Sequence, residues 1–252
     1  MRSSFATPAI VLRSRPFGES DRIVSLLTKD FGKISGIAKG AMRSRKRFVN
    51  SLEPLALVNL RFQDRPNSSL AFILTADLTL GYRQLLNSLE AISQAAYLVE
   101  ITDGLLGERE ESQAVYEHLS DSLRQLETHG ASLRSLTSFE LKLLRLVGYQ
   151  PGLDQCRRCP KESSPGGARC WLFSPVDGGI LCDSCADSRR ETQPLSAKAL
   201  TVLTALQSES NSLPSRYSLP LSVITEMRAV MLRFVQFHMA REIKSAAFLG
   251  FP

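Results

Sequence analysis

The sequence predicts an α+β chain of more than one domain: an N-terminal OB-like β-barrel over residues 1–80, then a mainly α-helical domain over 81–252, with a cysteine-rich insert at about 151–190. Three observations carry this. Short β-branched runs separated by turn clusters fill the first third. Apolar residues recur at helical spacing through the middle and the end. Two C-x2-C pairs interrupt the helical part.

The strands follow in order. "PAIVLRSRPF" precedes the turn-like "GESD", "RIVSLLT" precedes "KDFG", and "KISGIAKGA" has a loose period of two. "LEPLALVNLRFQ" alternates at Leu55 and Leu57, and "DRPNSS" is a turn before "LAFILTADL". Five short strands with tight turns suit a small OB-like barrel. Glycines 32, 36 and 40 suit strong strand curvature or bulges.

The helical region starts near Tyr82. Leu85, Leu89, Ile92, Ala96 and Val99 share one helical face, and Gly104 and Gly107 mark its end. A second helix carries Val115, Leu119, Leu123 and Leu126 and stops at Gly130. A third carries Phe139, Leu143 and Val147 and stops at Gly148. Further helices are expected near 196–208 and 220–248, joined by a polar connection. The methionines and aromatics of the last helix, and His238 with them, read as packing residues. His118 and His129 read as surface.

The chain has 252 residues and a net charge of +6. Residues 1–80 hold thirteen Lys/Arg against six Asp/Glu, and residues 81–252 hold eighteen against nineteen. The positive excess therefore belongs to the barrel, where it would attract a polyanion. It peaks in "KGAMRSRKRF", where Lys39, Arg43, Arg45, Lys46 and Arg47 fall within nine residues and no acid intervenes. Such cations bind nucleic acid by releasing counterions, each neutralised phosphate adding roughly 0.7–0.9 to the salt slope. Lys33, Arg13 and Arg15 extend the patch from neighbouring strands, and Phe48 and Phe31 are either stacking surfaces or barrel core. The bland alternative is a solvated loop that keeps a basic domain soluble.

Several chemistries lack their motifs. There is no P-loop, no G-x-G-x-x-G after a strand, no H-E-x-x-H and no G-x-S-x-G. No set of acids converges as a two-metal nuclease would require. A non-enzymatic role is expected. No apolar run approaches the roughly 18–20 residues of a membrane span, and the N-terminus does not read as a signal peptide. The expected location is the cytoplasm, where five cysteines argue against a disulfide framework.

The cysteines read differently. Cys156 and Cys159 are separated from Cys182 and Cys185 by 22 residues, with turn formers at the flanks and a hairpin-like "CWLFSPVDGGILC" between. Two such knuckles offer four thiolates to one tetrahedral ion, the arrangement of a structural Zn2+ site. The alternatives are four free thiols or a redox pair. Cys170 reads as a small buried hydrophobe. Arg157, Arg158, Arg189 and Arg190 either touch a polyanion or are solvated.

Taken together, "GESDRIVSLLTKDFGKISGIAKGAMRSRKRF", "LEPLALVNL", the "FSPVDGGILCDSC" insert and the final "HMAREIKSAAFL" resemble the bacterial RecO family of recombination mediators over nearly the whole chain. The resemblance implies an OB fold, a helical domain and a zinc module without catalytic turnover. It implies binding of single- and double-stranded DNA in the nucleoid-associated cytoplasm, and annealing of complementary strands. With RecR, such proteins help load RecA onto DNA coated by the single-strand-binding protein SSB, whose acidic C-terminal tail they contact; RecF is a further partner to test. The family's basic loop falls on Lys39, Arg43, Arg45, Lys46 and Arg47. The tail-binding pocket falls on no motif, since residues 81–150 hold six Lys/Arg against ten Asp/Glu. The competing readings are a zinc-finger DNA repair enzyme, glycosylase or nuclease, and a ribosome- or transcription-associated zinc protein.

Overall fold

A computed structural model describes residues 4–66, 68–163, 171–186, 191–208 and 219–250. The chain forms two compact units, residues 1–131 and 132–252.

The first unit opens with β1 (Phe5–Phe17), β2 (Asp21–Thr28) and β3 (Gly32–Ala38), followed by β4 (Leu57–Gln63) and β5 (Ala71–Leu80). They close a barrel in the order β1-β2-β3-β5-β4, which is the OB-like arrangement. Neighbours are antiparallel except β3 and β5, which pair in parallel at Gly36–Ala71 and Ile37–Phe72. The long β1 serves two partners, β4 through residues 5–10 and β2 through residues 9–17, with a register shift between Val11 and Arg13. A bulge of this kind bends a strand enough to close a small barrel. Alternation sends Val24, Leu26, Ile34, Leu60, Phe62 and Ile73 inward. Gly36 sits at the closure, where a Cβ would lie 2.4 Å from Ile73 Cδ1. A side chain at Gly36 would therefore push β3 and β5 apart.

Two helices complete this unit, α1 (Leu89–Leu105) and α2 (Gln113–His129). The Ser88 hydroxyl caps α1 by accepting from the Ala91 N–H at 3.2 Å. α1 ends at Leu105, between Gly104 and Gly107, where the glycines mark its end. The expected start at Tyr82 is displaced: residues 85–87 form a 3-10 turn instead. Glu127 of α2 holds that turn, accepting the N–H groups of Arg83, Gln84 and Leu85 at 3.0, 3.0 and 2.7 Å. Those bonds, Leu85's first and Gln84's second, keep the Glu127 carboxyl below its ordinary range. Gly130 ends α2 at φ 75°, as a glycine stop requires.

The second unit contains α3 (Leu133–Leu146), a small sheet of β6 (Trp171–Ser174), β7 (Gly179–Leu181) and β8 (Gln193–Leu195), then α4 (Ala197–Gln207) and α5 (Leu221–Met239). The sheet order is β7-β6-β8, antiparallel throughout. The β6–β7 hairpin lies where "CWLFSPVDGGILC" implies it; β8, three residues around a proline, has no strand signature. α5 packs on α3, α4 and β8, with Phe234 edge-on to Phe173 at 5.2 Å. Arg228 of α5 donates to Glu140 of α3 at 2.7 Å, both side chains almost fully buried. α5 stops at Met239, short of the expected end at 248, because Ala240 turns left-handed at φ 51°. His238 stacks on Tyr149 at 4.2 Å and meets Phe234 edge-on, the packing role expected of it; burial pushes its pKa down. Among the described residues, no helix is long and apolar enough to cross a membrane.

Candidate nucleic-acid interface and metal centre

Residues 39–56 connect β3 to β4. The strand expected from Leu52 begins only at Leu57, because Leu55 turns at positive φ. The connection is fastened to the barrel at several points. Asp21 accepts the Gly40 N–H at 2.8 Å and pairs with Lys39 at 2.9 Å. The Gly40 N–H first, and Lys39 second, hold the Asp21 carboxyl below its ordinary range. The Met42 N–H donates to Ser20 O at 2.9 Å, the Ala76 N–H to Arg47 O at 3.1 Å, and the Leu55 N–H to Val11 O at 3.0 Å. Ala41, Phe48 and Leu52 turn inward and join the barrel core. The backbone is thus anchored while the basic side chains remain outside.

Those side chains divide into two groups. Arg43, Arg45 and Lys46 are exposed and form no ion pair among the described residues. Lys39 and Arg47 are exposed but engaged. Lys39 is paired with Asp21. Arg47 donates through Nη2 to Lys39 O at 2.8 Å and lies 5.0 Å over the Phe48 ring. On β1, Arg15 is exposed without an ion pair among the described residues, and Arg13 reaches Asp103 at 3.7 Å while keeping a 63% exposed side chain.

Lys33 departs from expectation and does not extend the surface patch. It is 8% exposed, donating through Nζ to Asp103 O at 2.7 Å and lying 3.7 Å from the Asp103 carboxylate. The physical reason is strand alternation. Lys33 points to the outer face of β3, and that face meets α1, whose Asp103 also accepts from the Ser25 hydroxyl at 2.9 Å. Its charge ties helix to barrel. The aromatics resolve as core: Phe48 is 5% exposed, and Phe31 packs on Phe5 and Phe62 at 5.1 and 5.4 Å. The exposed apolar side chains of this region are Phe17, Met42 and Val49, which the strand and charge patterns do not single out. Asp21 is also missed, because its partners lie 18 and 19 residues along the chain.

The four cysteines converge. The Sγ atoms of Cys156, Cys159, Cys182 and Cys185 all lie within 4.8 Å of one another, and no disulfide joins them. Cys159 and Cys182 sulfurs are 3.7 Å apart; tetrahedral coordination with Zn–S bonds of about 2.3 Å requires roughly 3.8 Å. The knuckles are set by backbone bonds. The Cys156 N–H donates to Lys161 O at 2.8 Å, the Cys185 N–H to Cys182 O at 2.9 Å, and the Cys182 N–H to Cys156 Sγ at 3.4 Å. The first knuckle lies against the hairpin through Gly152 and Gly179. A Cβ on Gly179 would be 2.2 Å from Gly152 O, so only glycine permits the approach.

Electrostatics within the cluster are uneven. Burial works to raise the Cys156 thiol, but the N–H groups of Cys182, Arg158 and Cys159 outweigh it and bring it down to about 6. Cys185 is pushed up to about 12 by its contacts with Cys159 and Cys182 and by burial. Bringing four thiolates together requires a counter-cation, and a bound dication supplies that charge. The residues therefore fit a tetrahedral thiolate-bound metal.

Arg158 belongs to this module. It makes paired hydrogen bonds to the Asp177 carboxylate at 2.9 and 3.2 Å and donates to Cys185 O at 3.0 Å. Arg157 donates to Asp177 O at 3.4 Å. Cys170, Arg189 and Arg190 lie outside the described residues.

Comparison with known proteins agrees with this architecture. The family model "Recombination protein O N terminal" matches residues 1–82, and "Recombination protein O C terminal" matches residues 86–247. A protein named DNA repair protein RecO from Anaeromyxobacter sp. (strain K) is 33% identical over 240 residues, covering 95% of this chain and 93% of its own. Proteins of the same name from Syntrophus aciditrophicus and Myxococcus xanthus are 30% and 31% identical, covering 97% and 96% of this chain and 94% and 95% of theirs. A five-stranded closed barrel, a helical part, a four-cysteine centre and two matching family halves lead to one conclusion: the chain belongs to the recombination protein O (RecO) family of DNA repair proteins.

Proposed function

We propose that the protein is a DNA-binding recombination mediator that anneals complementary strands and, with RecR, helps load RecA onto single-stranded DNA coated by SSB. The observation that carries this reading is the exposure of Arg43, Arg45 and Lys46, without ion pairs among the described residues, on a loop whose backbone is anchored to an OB-like barrel. Cations held in this way neutralise phosphates and release counterions without reading sequence. They bind single strands and duplexes, and they screen two like-charged strands so that these can approach. Base pairing then supplies the free energy, and no nucleotide hydrolysis is needed. Arg15 and the exposed end of Arg13 lengthen the track.

The four cysteines hold a structural Zn2+ in this reading. All four ligand positions are protein sulfurs, so the ion holds the two knuckles together. The acidic tail of SSB is the protein contact through which the mediator reaches coated DNA, and RecF is a further partner. The setting is the reducing cytoplasm, where the thiolates stay available to the metal.

A strand-annealing assay on SSB-coated oligonucleotides tests the proposal. Annealing is expected to accelerate with the protein and to lose that acceleration when SSB lacks its C-terminal tail. Equal rates with and without the protein would contradict it. Incubation with duplex or abasic substrates, with and without magnesium, is expected to return intact strands; nicking or base release would favour a repair enzyme.

A further inference from the structure

Phosphate binding leaves one feature of the loop unexplained. Met42 and Val49 are 56% and 52% exposed within a segment otherwise dominated by cations. They line a cleft of about 480 Å³ beside the loop, together with Arg22, Arg45, Asn50 and Glu53. That volume is in the range of small-ligand sites, roughly 300–1,000 Å³. The lining combines three chemistries. Met42 and Val49 supply apolar surface, with the buried Phe48 ring behind them. Arg22 and Glu53, hydrogen-bonded at 2.5 Å, supply a donor and an acceptor. Arg45, without an ion pair among the described residues, supplies positive charge. Asn50 turns the chain around the cleft at φ 52°, a left-handed conformation that asparagine tolerates better than most residues.

A ligand matching all three has apolar faces, a polar edge and an attached anion, which describes a nucleobase on its phosphate. We propose that this cleft receives one unstacked base of a DNA single strand whose phosphates run along Arg43, Arg45 and Lys46. The inference rests on the DNA-binding reading above and adds strand selectivity to it. In a duplex, both faces of each base are stacked and its edge is paired, so entry requires opening the helix. In a single strand the base is already available, and its apolar faces can be buried against Met42 and Val49. The cations bind either form; the cleft favours one.

The test uses the full-length protein and compares wild type with the double variant Met42→Ala, Val49→Ala. Both positions are exposed, so the fold should be retained, as a thermal melt will verify. Affinities for a single-stranded oligonucleotide and a duplex of equal length are measured by fluorescence anisotropy over a range of salt. The variant is expected to bind the single strand about fivefold or more weakly, with an unchanged salt slope and an unchanged duplex affinity. A 2-aminopurine base in the strand should change its emission on binding wild type and respond less to the variant. Unchanged single-strand affinity, or equal weakening of both DNA forms, overturns the cleft while leaving the cationic grip in place. Wild-type protein that binds neither DNA overturns the underlying reading as well.

Discussion

The cysteine module and the basic loop both fold on tight turns, but they present their functional groups in opposite directions. In the module, the backbone lies outside and four sulfurs point to one centre, all within 4.8 Å of one another. In the loop, Ala41, Phe48 and Leu52 point into the barrel while Arg43, Arg45 and Lys46 point away from it. A convergent site depends on every member, since three thiolates cannot complete a tetrahedron. A divergent site is graded, because each cation neutralises its own phosphate. Single substitutions should therefore be nearly all-or-none in the module and incremental in the loop.

The largest effect is expected at the module. Cys182→Ser should take bound zinc from about one ion per chain to near zero and lower the melting temperature by about 10 °C or more, since metal binding is also folding free energy. Cys170→Ser should keep the zinc. Metal analysis and calorimetry decide this; retention of zinc by Cys182→Ser with its loss from Cys170→Ser would replace the ligand set.

A smaller but still large loss is expected at Asp103, which determines which cations stay outside. Asp103→Ala leaves Lys33 its backbone acceptor but removes the carboxylate that neutralises the buried ammonium, and breaking a buried pair costs up to about 3–5 kcal/mol. Chemical denaturation should show that loss. A normal stability would mean that Lys33 is not held as a structural cation.

Smaller again is the acid response of Glu127, which three backbone N–H groups hold below its ordinary range. Its folded pKa lies below its unfolded value of about 4.3. The stabilisation is therefore fully present above the unfolded pKa and is lost as pH falls through the folded one. Relative to wild type, Glu127→Gln should lower the urea midpoint at pH 7, and the gap should close on acidification below about pH 4. A gap independent of pH would assign the effect to packing.

What could be read from the sequence follows the range of the interactions. The cysteine ligands are legible because each pair is local and thiolate chemistry allows few alternatives. The strands are legible through turn clusters and alternation, and the stops at Gly130 and Gly148 because left-handed backbone favours glycine. Lys33 is not legible as structural, since Asp103 lies 70 residues away and only the closed barrel brings them together. Phe48 admits both a stacking and a core reading from its neighbours, and the barrel core claims its ring. β8 is invisible because three residues around a proline carry no period.

The smallest effect per residue, and the most direct test of the central claim, is the salt dependence of DNA binding. Each lost phosphate contact should lower the slope of log affinity against log salt by roughly 0.7–0.9. The triple variant Arg43→Ala, Arg45→Ala, Lys46→Ala should therefore show a slope about 2–3 shallower than wild type, with an unchanged melting temperature. An unchanged slope would contradict the assignment of this loop as the DNA grip.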